Sequence, residues 1–137
     1  IGCEPQLPEA LEQPVNELES RQDAEALWRT LVNRSIAEYQ SKLWSQLDLL
    51  VMLKAPSFEQ VSHWRTEQEQ KLVDYLGHAT ELSDPSKMKY FISHYQRLTQ
   101  HMLCSLPATA DVVMELDQDR RIYKVKPELP AFEAIGS

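Results

Sequence analysis

Apolar residues recur at helical spacing along three stretches of the chain and cluster at strand length in three others. In the first stretch Ala24, Leu27, Trp28, Leu31, Val32, Ile36, Tyr39 and Leu43 follow one another at intervals of three and four. That spacing puts them on one face of a helix running from about residue 21 to residue 46. Glu25, Arg29, Arg34 and Lys42 fall on the opposite side. The helix is expected to pack along its apolar stripe and to leave its charged side wet.

The run Leu49-Leu50-Val51-Met52-Leu53 is apolar without a break and is bounded by Asp48 and by Lys54-Ala55-Pro56. A run of this length fits a strand covered on both faces, as in a parallel sheet. A short buried extension of the helix is the competing reading, because Leu and Met are weak strand formers. The strand is preferred, since Pro56 and a helix start at Ser57 leave no room for more helix. Ser57-Phe58-Glu59-Gln60 is a capping-box pattern, with a hydroxyl to accept from the N3 amide and a Gln side chain to reach back. Gly77 tolerates the positive φ of a helix end, so this helix is expected to stop after Leu76. Its stripe of Phe58, Val61, Trp64, Leu72 and Leu76 is thin, which predicts partial burial.

A third helix begins at Asp84-Pro85, a cap residue followed by proline at the first helical position. Met88, Phe91, Ile92, Tyr95, Leu98, Met102 and Leu103 keep helical spacing up to Pro107. Residues 111–115 and 121–125 then read as a hairpin around Asp117-Gln118-Asp119. Strand, two helices, strand is the order of a parallel βαβ crossover, which makes the strands at Leu49 and Val112 neighbours. Two sheet strands and a hairpin cannot cover three long helices, so a further portion of fold is expected. Before the first helix, Pro5, Pro8 and Pro14 predict a mostly extended surface segment over residues 4–19, with a short helical turn near residues 9–12. Residues 1–126 are read as part of one domain and residues 127–137 as a poorly ordered tail.

Composition narrows the function classes. The chain has 137 residues, 42% of them hydrophobic, which is enough for a core. A net charge of −7 without a Lys/Arg run argues against nucleic acid and against a polybasic membrane patch. The longest apolar run is too short to span a bilayer, and no secretory signal opens the chain. Cys3 and Cys104 form no CxxC and read as reduced thiols of a cytoplasmic protein. Ile1 is not an initiator methionine, so the chain is expected to come from a longer polypeptide.

No catalytic set is self-contained here. His63, His78, His94 and His101 are scattered, and no thiol or carboxylate completes a ligand set for a metal. No GxSxG elbow is present. A phosphate-cradling loop needs closely spaced glycines so that backbone amides can converge, but the chain has 3 glycines, at positions 2, 77 and 136. No GxxxxGK[ST] can be written from them. Arg65, on the helix after Ser57, has two readings. It is a guanidinium able to close over transferring phosphate, or one partner of an ordinary i,i+4 ion pair with Glu69 on a solvated face.

Several segments, in order, resemble the D-glycerate 3-kinase family and its bacterial relatives. Leu53-Lys54-Ala55-Pro56-Ser57-Phe58-Glu59, followed by Trp64-Arg65 and Gln68-Glu69, is similar to the family's "APSFE, WR..QE" passage. Pro14-Val15-Asn16-Glu17-Leu18-Glu19 with Asp23 resembles its "PxNxLE…D" segment. Trp28-Arg29 with Val32-Asn33 and His94-Tyr95-Gln96-Arg97-Leu98-Thr99 resemble its "WR..VN" and "HYxRLT" runs. Ala110-Asp111-Val112-Val113, Leu116-Asp117 and Arg120-Arg121-Ile122 resemble its closing hairpin. The match extends from about Gly2 to Val125.

The resemblance implies an α/β fold, the C-terminal half of a P-loop kinase related to uridine kinase, phosphoribulokinase and pantothenate kinase. It also implies ATP and Mg²⁺ as cosubstrate and metal, a hydroxylated acceptor such as glycerate, and a lid helix. Arg65, and then Gln68 and Lys71, are its candidate phosphate contacts. Asn16, Glu19 and Asp23 belong to a segment following the substrate-side loop, where capping or loop fixing competes with substrate contact. Residues 117–121 would wall the adenine side. The family's Walker A loop, Mg²⁺-binding acid and catalytic base would precede Ile1, so neither ATP nor Mg²⁺ is expected to bind this chain alone. The expected partners are a small-molecule substrate in the full-length kinase and either the missing N-terminal half or a second copy. The alternative is a non-catalytic helical interaction module built on a kinase framework.

Overall fold

A computed structural model describes residues 4–127. Expectations that fall on Ile1 to Cys3 and on residues 128–137 lie outside the described residues. Among those described, the order is α1 (Glu17–Gln22), α2 (Leu27–Lys42), β1 (Val51–Lys54), α3 (Phe58–Leu76), α4 (Pro85–Ser93), α5 (Gln96–Ser105), β2 (Val112–Leu116) and β3 (Ile122–Lys126). The strands form a sheet in the order β1-β2-β3. β1 pairs β2 in parallel, Val51 opposite Val112 and Lys54 opposite Glu115. β3 returns antiparallel to β2, with a register shift at Glu115/Leu116. Asp111 fixes the start of the parallel pair: its carboxylate accepts from the Leu50 amide at 2.7 Å. The α/β crossover and terminal hairpin are thus present as the sequence implied.

Two long helices are each broken where periodicity had run straight through. Asp23 ends α1, and its carboxylate accepts from the Trp28 amide at 2.8 Å and the Arg29 amide at 3.1 Å, which restarts the helix as α2. Ala26 takes φ 60 in the turn between them, so Ala24 is not helical. The third predicted helix divides at Ser93–Tyr95 into α4 and α5. The short helical turn expected near residues 9–12 is present as a 3-10 turn over Pro8–Leu11, but α1 already starts at Glu17, within the segment expected to be mostly extended.

The largest departure is in what is buried. Leu27 and Trp28 are each 68% exposed, and Leu31, Val32, Tyr39 and Leu43 are exposed too. The buried residue of α2 is Arg29, taken from the side expected to be wet. Likewise β1 is covered on one face: Met52 is buried whereas Val51 and Leu53 are exposed. The core proper is Met52, Val113 and Leu106, with Leu50, Leu103 and Ala110 packed around it. The covered side of the sheet meets Leu103 at the end of α5 and Leu106 in the turn that follows it. Nothing within the described residues covers the other side of β1 or the apolar stripe of α2.

α3 begins and ends as its residues dictate. The Ser57 side chain accepts from the Gln60 amide at 3.2 Å, and Gly77 closes the helix at φ 72. Beyond its immediate chain neighbours, nothing lies within 4 Å of where a Gly77 Cβ would sit. Gly77→Ala is therefore expected to cost backbone strain alone, about 1 kcal/mol, read as a lower urea midpoint with an unchanged m-value. An unchanged midpoint would show that α3 does not end in this conformation.

Candidate functional site

The sequence candidates fall into two groups. On α3, Arg65 pairs with Glu69 at 2.8 Å and its guanidinium lies 5.6 Å from the Phe91 ring centre. Glu69 is 4% exposed and also accepts from the Thr80 hydroxyl. Those hydrogen bonds, the Thr80 one foremost, hold its carboxyl below the usual carboxylate range against the opposing effect of burial. Lys71 pairs with Glu67 at 2.5 Å. Glu67 also takes Arg120 at 2.7 Å, and the hydrogen bonds from Arg120 and Lys71 pull its carboxyl down to about 2. Gln68 is exposed. The hairpin turn is tied to the same helix: Trp64 Nε1 donates to the Gln118 carbonyl at 2.9 Å, and Arg120 stacks over the Trp64 ring at 5.2 Å. α3 is thus anchored to the hairpin at Trp64 and Glu67 and to the segment after Gly77 at Glu69.

The second group builds a buried charge cluster. Arg97, 6% exposed, donates to both carboxylate oxygens of Glu19, at 2.8 and 2.7 Å. Its remaining contacts go to the carbonyls of Ala10 at 2.8 Å and Gln13 at 2.7 Å. Arg29 does the same one element away. It donates to Asp23, to the Leu11 carbonyl at 2.6 Å and to the Glu12 carbonyl at 3.3 Å. Asn16 caps α1 by accepting from the Glu19 amide at 3.0 Å, and its amide donates to the Ser93 carbonyl at 2.9 Å and to Gln96 at 3.1 Å. Asn16 thus bridges α1 to the α4–α5 break, Glu19 pairs with Arg97, and Asp23 caps the start of α2. Proline and turn geometry leave the carbonyls of residues 10–13 unpaired by any helix, and two guanidinium forks satisfy them.

Arg29 and Arg97 were not singled out from the sequence, although both stand inside quoted motifs. For Arg29 the readable signal was Asp23 just ahead of its helix; for Arg97 the partner, Glu19, is 78 residues away and spacing gives no signal of it. Burial raises the carboxyls of Glu19 and Asp23, but guanidinium charge and donated hydrogen bonds outweigh it and leave both below their ordinary values.

Two cavities flank the α4–α5 break, and Ser93 lines both. The larger, about 500 Å³, has Glu19, Asp23, Arg29 and Arg97 in its wall beside Trp28, Val32 and Leu98. Its charges cancel internally. The smaller, about 340 Å³, lies between α3 and α4–α5, walled by Ser62, Thr66 and Glu69 on one side and by Met88, Lys89 and Ile92 on the other. It separates the α3 candidates from the loop held by Asn16. Among the described residues no three His, Cys, Asp or Glu side chains converge as metal ligands. His94 Nδ1 instead lies 3.0 Å from the Tyr90 carbonyl, and His101 Nε2 2.8 Å from that of Glu4. No helix of the described residues is long and apolar enough to cross a membrane.

Arg97→Ala would strand a buried carboxylate and two carbonyls, so a loss of about 3–5 kcal/mol is expected by urea unfolding. The depressed carboxyls of Glu19 and Asp23 contribute stability that is complete above the unfolded range and declines as pH falls below about 4. Urea midpoints measured from neutral to acid pH should show that decline, and Glu19→Gln should shrink it.

No family sequence model matches the chain, and no curated protein matches it in sequence. Among solved structures it is similar to D-glycerate 3-kinase from Cryptococcus neoformans var. grubii serotype A, with a TM-score of 0.66 at 17% identity. That similarity covers 91% of this chain and 46% of the kinase. It is also similar to the protein titled YGR205w, with a TM-score of 0.62 at 17% identity, over 91% of this chain and 44% of that one. The chain spans less than half the length of either structure. Its fold is that of part of a D-glycerate 3-kinase-like structure.

Proposed function

We propose that this chain is the C-terminal part of an ATP-dependent, cytoplasmic small-molecule kinase that phosphorylates a hydroxyl of a glycerate-like acceptor. The observation that carries the reading is the pairing of a superposition over 91% of the chain with a fold left open on one side. β1 is an edge strand, its outer face is bare, and the apolar stripe of α2 has no partner among the described residues. An edge strand whose own pairing is parallel, beside uncovered apolar faces, is the boundary of a larger layered α/β domain.

Within that kinase the chain would contribute α3 as the lid-side helix and the β2–β3 hairpin as the nucleotide-side wall. Arg65, Gln68 and Lys71 are the groups proposed to face phosphate. Asn16, Glu19 and Asp23 are proposed to hold the substrate-side loop in place. The described residues do not fit ATP-Mg²⁺ by themselves. Gly77 is the one glycine among them, it serves as a helix cap, and no backbone cradle for a triphosphate can be formed there. No step of nucleotide binding is assigned to this chain alone.

The bare face also favours a second reading, a non-catalytic helical module that docks through it. Leu27, Trp28 and Leu31 on α2 and Leu49, Val51 and Leu53 around β1 would be its contact residues. Light scattering would favour it by showing a tight, soluble dimer of the chain.

Two measurements test the kinase reading. Isothermal titration of the chain with ATP-Mg²⁺ is expected to show no micromolar binding. The reading frame ahead of Ile1 is expected to encode a glycine-rich GK[ST] loop, and the longer product to transfer phosphate from ATP to D-glycerate. Micromolar ATP binding by the chain alone, or a loopless upstream sequence, would sink the proposal.

A further inference from the structure

We infer that Arg120 is a positioning residue: by gripping Trp64 and Glu67 it sets where α3 lies against the hairpin. The starting point is how little apolar surface α3 buries. Across its 19 residues it has one buried side chain, and that is Glu69. Leu72 and Leu76 are exposed, while Phe58, Val61 and Trp64 are half-buried. A helix with so few buried apolar contacts has its placement decided by directional ones. Toward the hairpin these come from a single turn. The Gln118 carbonyl accepts from Trp64 Nε1 at 2.9 Å, and the Arg120 guanidinium lies 5.2 Å from the centre of the same ring. That guanidinium also donates to Glu67 at 2.7 Å. An ion pair 43% and 35% exposed contributes little by itself. Sharing one guanidinium with the indole is what makes it directional.

The backbone at Arg120 points the same way. Arg120 takes φ 64, one of two left-handed non-glycine residues among those described. The turn imposes that conformation without help from the guanidinium. The Asp117 carboxylate accepts from the Asp119 and Arg121 amides at 2.9 and 2.8 Å, and the Arg120 amide donates to the Asp117 carbonyl at 3.1 Å. Glycine or asparagine fits such a position with least strain, and arginine does not. What arginine adds there is reach and a planar fork, and both are used on α3. Lysine could pair with Glu67 but has no plane to lay over the indole. The other ties of α3, Glu69–Thr80 and Arg65–Phe91, run to the segment after Gly77 and to α4. They leave the hairpin side to Arg120 and Gln118. That this placement serves phosphoryl transfer rests on the kinase reading, but the clasp itself does not.

The test is the NMR-detected exchange of the Trp64 indole N–H with solvent, in the full chain and in Arg120→Gly, Arg120→Lys and Glu67→Gln. Trp28 and Trp44 supply internal references. Glycine takes a left-handed φ freely, so Arg120→Gly keeps the turn. It is expected to speed exchange of the Trp64 indole about fivefold or more and to shift the amides of residues 64–71, with the Trp28 and Trp44 indoles unchanged. Arg120→Lys is expected to fall between Arg120→Gly and the parent. Glu67→Gln is expected to speed exchange in the parent and to add nothing to Arg120→Gly, because both changes break one contact. An incidental arginine predicts instead that glycine removes strain and leaves the Trp64 indole as it was. That result overturns the inference, as do additive effects of the two substitutions or an Arg120→Lys chain that matches the parent. No nucleotide enters these measurements, so the kinase reading stands or falls separately.

Discussion

Two buried guanidinium groups organise the half of the molecule that lacks a sheet. Arg97 and Arg29 each hold one carboxylate and at least two backbone carbonyls of the proline-containing segment, drawing residues 10–13 against α2 and α5. That segment has little regular structure to satisfy its own carbonyls, and Leu11 is its one buried apolar side chain. An ion pair this deep is weak evidence for net stability, since desolvation offsets most of the Coulomb gain. Its value here is directional. The planar fork fixes where α1, α2 and α5 meet, which an apolar contact of similar area would not.

The same geometry explains why α2 is turned as it is. Once Arg29 faces inward toward Leu11, Glu12 and Asp23, the helical period turns Leu27 and Leu31 to the opposite side, where both are exposed. An exposed stripe of that kind is expensive for a solitary chain and ordinary for a segment of a larger domain. The sheet repeats the pattern, with Met52 and Val113 buried on one side and Val51 and Leu53 bare on the other. Both surfaces agree with solved structures more than twice as long as the matched region.

The smaller cleft sits where these two regimes join. On one side α3 is fixed by the Trp64–Gln118 and Glu67–Arg120 contacts, and on the other the α4–α5 break is fixed by Asn16. The break frees α5 to aim Arg97 at Glu19, while Met88 and Ile92 of α4 line the cleft that α3 walls on its other side.

Much of the local structure was legible in the residues alone. Ser57 and Gly77 bound α3 by capping chemistry, Asp84-Pro85 starts α4, and the apolar runs at Val51 and Val112 become a parallel pair. These features depend on neighbours in sequence, so spacing reveals them. The helix breaks at Asp23 and Ser93 were hidden because apolar periodicity continues across both: the first is a local cap by the Asp23 carboxylate, and the second is held by a hydrogen bond from Asn16, far away in sequence. Periodicity also identified which faces are apolar, but not which are covered. An apolar stripe declares that it favours a partner, and only tertiary structure decides whether that partner lies within the same chain. For α2 and the outer face of β1 it does not among the described residues. The buried positions there went to Arg29 and, on α3, to Glu69, because a charge whose hydrogen bonds are all satisfied can be buried.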